Sequence, residues 1–159
     1  MSLTIVALVM AAAYVGVLTT LYALQDVSPG QVVVYGESLG TGVATRLATE
    51  RPTAAVILDS LYTSVADIAQ LRYPIFPARW LVKNRFDVLS RIGSVHAPVL
   101  VLQGALDPGI PPAMGRAVYH SAASPKQLWT APDAGHSDVL EMGGEAVMAA
   151  FIARHLTGT

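Results

Sequence analysis

Three residue types that together can cut an acyl bond occur in this chain in the order Ser38, Asp107, His136. A serine hydroxyl is a poor nucleophile unless a tight, exposed turn holds it beside a base. Ser38 lies in Gly36-Glu37-Ser38-Leu39-Gly40. Before it runs the apolar, β-type stretch Val32-Val33-Val34-Tyr35, and after it comes a helix-compatible segment. The five-letter pattern alone is a weak signal. Strand, turn and helix in that order form an elbow that pushes the serine into the open, and its glycines give the backbone room for the strained turn. Asp107 sits in Gly104-Ala105-Leu106-Asp107-Pro108-Gly109-Ile110-Pro111, and His136 in Ala134-Gly135-His136-Ser137-Asp138. In these roles Ser38 attacks a carbonyl carbon, and His136 takes its proton and returns it to the leaving group. Asp107 orients the imidazole and stabilises its charged form. The backbone N–H of Leu39 would be one oxyanion donor.

Each role has rivals. Asp59 also follows an apolar run and competes for the acid position. Asp133 and Asp138 stand close to His136 in sequence and are weaker rivals. Ser38 and Asp107 could be ordinary turn residues, the latter before Pro108, and His136 an ordinary loop histidine. His96 precedes an expected strand, His120 falls in mid-helix and His155 is at the tail, so none of them suits a strand-end site.

The elements that must position these residues alternate. Gln25–Gly30 reads as a turn-rich connector. The pattern predicts strands over Gln31–Tyr35, Ala54–Leu58, Pro98–Gln103 and Gln127–Ala131. Helices are expected over Leu39–Glu50, Met114–Ala123 and Val139–Leu156, the last weakened by Gly143-Gly144. Residues 61–95 are less regular: Tyr73-Pro74-Ile75-Phe76-Pro77 breaks any helix, and Ala78–Asn84 suits a short one. Strands apolar on both faces, alternating with helices, predict a mostly parallel sheet of about four strands flanked by helices. In such a sheet functional groups collect past the carboxyl ends of the strands, where Ser38, Asp107 and His136 all fall.

The 159 residues suit one domain. A net charge of −1 gives no sign of nucleic-acid binding. Cysteine is absent, which excludes disulfides and thiol catalysis. No two histidines have metal-ligand spacing, and GESLGTG lacks the dinucleotide-binding spacing, so neither a metal nor another cofactor is expected. Hydrophobic residues reach 53% and charged residues only 13%. Much of that imbalance lies in residues 3–24, LTIVALVMAAAYVGVLTTLYAL, which carry no charge. Two readings stay open: a helix buried against a sheet, for which its small residues are suited, or a membrane span. A cytoplasmic location is expected in the first case and membrane association in the second.

Taken together, these motifs resemble the α/β-hydrolase superfamily, and more closely its bud-emergence-like branch of serine hydrolases. The resemblance runs from about Ala11 to the C-terminus. It rests on Tyr35–Gly42, on Leu58-Asp59-Ser60-Leu61-Tyr62-Thr63-Ser64, on Arg85-Phe86-Asp87, on Pro98–Asp107 and on Gly135-His136-Ser137. It implies the C-terminal part of an α/β-hydrolase fold, residues 1–159 being a single truncated domain, with Ser38, Asp107 and His136 in the triad positions. The front half of the fold, with a His-Gly-type loop that supplies the second oxyanion N–H, is then missing, and no His-Gly dipeptide precedes Ser38. The helix before the elbow would be Ala11–Leu24, and the elbow strand would have an open edge that invites self-association.

The expected function is a serine hydrolase acting on a carboxylic ester, thioester or amide through an acyl-enzyme on Ser38, with a small-molecule or acyl substrate. Two alternatives are an inactive or truncated hydrolase fragment and a membrane-associated interaction module. Residues 61–86 are the expected lid region, with Tyr62, Tyr73, Phe76 and Trp80 lining an acyl site or simply packing.

Overall fold

The computed structural model describes residues 28–123 and 125–156. The apolar segment 3–24, with its helix and membrane readings, lies outside the described residues. A 3-10 turn at Pro29–Gln31 leads into strand β1 (Val33–Glu37) and helix α1 (Gly40–Glu50). Strand β2 (Ala55–Asp59) follows, then α2 (Val65–Arg72) and two single-turn helices, α3 (Ala78–Leu81) and α4 (Leu89–Ile92). Strand β3 (Val99–Gly104), helix α5 (Pro112–Ser121), strand β4 (Lys126–Ala131) and helix α6 (Glu145–Leu156) complete the order.

The four strands form one parallel sheet in the order β1-β2-β3-β4. Alternation along the strands divides the core between its two faces. Val34, Val56, Leu58, Val99 and Val101 pack with Ala44, Ile92 and Val118 from α1, α4 and α5. Val33, Tyr35, Ile57, Leu100 and Leu102 point the other way, towards Val139 and Phe151. Full burial of each such aliphatic side chain is worth about 1.5–3 kcal/mol, so β1 to β3 hold the sheet together. The expectation of strands apolar on both faces fits these three. It does not fit β4, whose residues 126–129 are half-buried and Thr130 exposed, because β4 forms an edge. Among the described residues β1 pairs only with β2.

Element boundaries differ from expectation for local reasons. The first strand starts two residues later, after the 3-10 turn, and runs on through Gly36, which pairs in register with Leu58. The final helix is split: Leu140–Gly144 forms a π-helical turn, and Gly143 takes φ 110, a value glycine adopts cheaply. Residues 61–95 are more ordered than expected. Ser64 caps α2 by accepting the Asp67 N–H at 3.0 Å, and Arg85 O and Thr63 O bind the N–H groups of Val65 and Val88.

Candidate active site

Glu37 ends β1 and Gly40 begins α1, so Ser38 and Leu39 make the whole turn. Ser38 has φ 49, in the left-handed region that costs a non-glycine residue roughly 1–2 kcal/mol. Hydrogen bonds hold it there. Its N–H donates to Asp59 O at 2.9 Å, and its carbonyl accepts from Thr41 N at 3.0 Å and Thr41 Oγ1 at 2.6 Å. Gly36 lets the helix fold back onto the strand, since a Cβ there would stand 2.5 Å from Gly40 O and 2.8 Å from Ala44 Cβ. Leu39 has helical φ and ψ at the start of α1. Its N–H therefore belongs to the helix-end groups that have no intrahelical acceptor.

The other two loops are stapled to each other. Past β3, Ala105 N–H donates to Ala131 O and Leu106 N–H to Ala134 O, both at 2.9 Å. Gly104 packs directly on the carbonyl of Gly135, a contact open only to a residue without a side chain. Gly135 N–H donates to Asp138 Oδ1 at 2.7 Å, closing the turn in which His136 sits.

These constraints bring Ser38, His136 and Asp107 together. His136 Nε2 lies 2.9 Å from Ser38 Oγ, and its Nδ1 lies 2.7 Å from Asp107 Oδ2. The Asp107 side chain is fully buried, whereas a third of His136 is open. The second carboxylate oxygen of Asp107 accepts from the N–H groups of Gly109 (2.8 Å) and Ile110 (2.9 Å), so both oxygens are engaged as acceptors. An ionised carboxylate can only accept, which puts the imidazole proton on Nδ1 and leaves Nε2 free to accept the Ser38 hydroxyl proton. Ser38, Leu39 and His136 open onto a cleft of about 460 Å³ whose walls include Val65, Ile68 and Ile110.

Asp59, the rival acid, is directed elsewhere. Its carboxylate is buried at the end of β2 and accepts from Tyr35 OH at 2.9 Å. Ser60 Oγ lies 3.1 Å from Asp59 and 2.6 Å from His136 O. A hydroxyl has one proton, so Ser60 Oγ donates to one of these two acceptors at a time. Burial, the largest influence, pushes the Asp59 pKa up to about 6 against the lowering effect of the Tyr35 and Ser60 hydrogen bonds. No local pattern in the sequence signals this Asp59–Ser60–His136 link, which joins residues 76 apart.

Asp133 is exposed, and Asp138 serves the turn at Gly135. His96 and His120 are exposed, and His155 packs against Phe151 with ring centroids 4.6 Å apart. Of the four aromatics expected to line an acyl site or pack, only Tyr62 does so. It is buried, lines the cleft and donates to Leu39 O at 3.3 Å. Burial pushes its phenol up to about 12, so it stays a donor. Tyr73, Phe76 and Trp80 are exposed.

No family model matches the chain. It is 40% identical over 134 residues to an uncharacterized protein of Mycobacterium tuberculosis, covering 84% of this chain and 47% of that protein. It is 31% identical over 134 residues to the alpha/beta hydrolase domain-containing protein 17B of Xenopus laevis, covering 82% and 44%. The chain thus spans about half the length of the curated relatives it matches. Among solved structures, an esterase of Pyrococcus furiosus matches with a TM-score of 0.68 at 20% identity, over 88% of this chain and 60% of that one. An acetyl xylan esterase from Paenibacillus matches at 0.66 and 21%, over 86% and 49%. Parallel sheet, elbow turn and these likenesses agree: the chain carries part of an α/β-hydrolase fold and belongs to the α/β-hydrolase superfamily.

Proposed function

We propose that this chain carries the nucleophile, base and acid of a serine hydrolase that cleaves carboxylic esters, thioesters or amides through an acyl-enzyme on Ser38. The observation that carries the reading is the continuous hydrogen-bonded chain Ser38 Oγ, His136 Nε2, His136 Nδ1, Asp107 Oδ2, at 2.9 and 2.7 Å. As Ser38 Oγ forms its bond to the carbonyl carbon, its proton passes to Nε2. The imidazolium is stabilised by the Asp107 carboxylate on its far side. The carbonyl oxygen gains the electron pair and is met by the Leu39 N–H. Collapse of the tetrahedral intermediate expels the alcohol, thiol or amine, which takes the proton from Nε2. Water then enters by the same route in reverse, releasing the acid and restoring Ser38. The resemblance assigns the second oxyanion donor to a loop ahead of the elbow strand, and one such donor is worth about 10²–10³ in rate. Names of relatives and neighbours point the same way, since several are called hydrolases or esterases.

A fluorophosphonate probe tests the assignment. It should label the protein on Ser38, and Ser38→Ala should abolish labelling. A label that persists in Ser38→Ala refutes the nucleophile.

A further inference from the structure

The stretch 71–91 has two properties that neither the core nor the proposed chemistry uses. The first is charge. Five of the chain's ten Lys and Arg residues lie here, Arg72, Arg79, Lys83, Arg85 and Arg91, against one of its eleven acids, Asp87. This stretch is therefore strongly cationic in a chain whose net charge is −1. Part of the charge is compensated: Arg79 pairs with Asp67 at 2.9 Å, and Asp87 lines the same groove as Lys83, Arg85 and Arg91. Lys83, Arg85 and Arg91 nevertheless line a shared groove of about 610 Å³ with Arg46, whose own partner is Glu50 at 2.8 Å.

The second property is apolar exposure. Leu71, Tyr73, Ile75, Phe76, Trp80 and Leu81 all face solvent, Ile75 and Trp80 at 91% and 89%. Scattered apolar residues are normal on a surface, but six within eleven positions are not. Bulky apolar and aromatic side chains beside Lys and Arg match the bilayer boundary. The rings enter the acyl–headgroup region, and the cations meet anionic headgroups. A protein partner would account for the apolar side chains, but the charge imbalance favours a surface that is itself densely anionic.

We propose that residues 71–91 form a docking surface for an anionic lipid bilayer. Trp80, Ile75, Phe76 and Leu81 insert at the acyl boundary, and the Lys83–Arg85–Arg91 groove takes the headgroups. Arg72 closes the link to the cleft, because it lines the same space as Ser38 and His136. Where the Ser38 reading holds, on which this last step rests, the acyl substrate enters from the bilayer along the apolar wall formed by Val65 and Ile68.

Co-sedimentation of the full chain with vesicles tests the docking surface without reference to activity. Phosphatidylcholine vesicles containing about a third phosphatidylserine should bind the protein, and pure phosphatidylcholine should bind it far less. Each cation near the surface is worth about 1 kcal/mol, or five-fold. Lys83→Gln with Arg91→Gln should therefore weaken binding about 25-fold, and Trp80→Ala should weaken it independently. Near-UV circular dichroism checks that these exposed substitutions leave the fold intact. Ser38→Ala should bind vesicles like the unmodified chain, so loss of the nucleophile assignment and loss of the docking surface are read separately. Equal binding to both vesicle types overturns the proposal. So does binding carried by residues 3–24 that none of these substitutions changes, or a self-associated form in solution that Trp80→Ala disperses.

Discussion

Gly104→Ala adds one methyl group at the point where the Asp107 loop and the His136 loop touch. A Cβ there would overlap the Gly135 carbonyl oxygen and stand 2.6 Å from Ala134 O and 2.9 Å from Gly135 C. All three are backbone atoms, so no side chain can rotate away. Relief to an ordinary contact needs the loop carrying His136 to retreat by about 1.5 Å, and overpacking of this kind costs about 1–3 kcal/mol. A displacement of that size in a reacting group lowers rate by about 10². Gly109→Ala is the matched control. Its Cβ would meet only Asp107 Oδ1, at an ordinary 3.5 Å, and leaves the N–H that Asp107 accepts in place. The assay is the second-order rate of fluorophosphonate labelling at Ser38, measured beside the thermal midpoint. Gly104→Ala should label about 100-fold more slowly while still unfolding cooperatively, and Gly109→Ala should label within a few-fold of the parent. A Gly104→Ala protein that labels at the parental rate would refute the argument that this contact positions His136.

Other perturbations probe other links. Asp107→Asn keeps the shape but lets the side chain donate towards Nδ1, so the tautomer is wrong and hydrolysis of an activated ester should fall about 10⁴-fold with little change in KM. Asp59 holds its proton to about pH 6 in the folded chain, but releases it near its ordinary value of 3.8 when unfolded. Between those values the native state binds more protons than the unfolded state. Its contribution, about 3 kcal/mol, is complete below pH 4 and lost as pH rises through 6. Urea unfolding from pH 4 to 7 should show that fall, and Asp59→Asn should remove it. Ser64→Ala deletes the cap of α2 and should cost about 1 kcal/mol in the same unfolding measurement.

The site was legible in the sequence to the extent that topology sets it. In a parallel sheet the residues just past the strand ends share one rim, so Ser38, Asp107 and His136 could be grouped with no knowledge of contacts. The resemblance already favours Asp107 over Asp59 although both follow strands, and distance now supports it, since His136 Nδ1 lies 2.7 Å from Asp107 Oδ2. Tyr35, whose hydroxyl occupies the Asp59 carboxylate, lies 24 residues from it in sequence. Helix α2 has a local sign in the sequence, Ser64 three residues before Asp67, a capping pattern. Single-turn helices such as α4 leave almost none. The exposure of Phe76 and Trp80 was illegible for a different reason: aromatic residues signal burial in composition, and only the fold reveals which of them the core does not reach.

The sheet order β1-β2-β3-β4 also bears on when the site comes into being. Each new strand joins the outer flank of the one before it, so among the described strands the proposed nucleophile follows the first and the proposed base lies in the loop after the last. Ser38 and His136 are 98 residues apart, whereas His136 and Asp107 are separated by only 29. Closing the longer loop carries the larger entropy cost, and it is offset only once β3 and β4 have docked. A chain stalled with β4 detached would keep the strained serine of the elbow without the imidazole proposed to activate it. On the proposed mechanism such incomplete intermediates would be chemically silent, and reactivity at Ser38 would mark the chains that have finished folding.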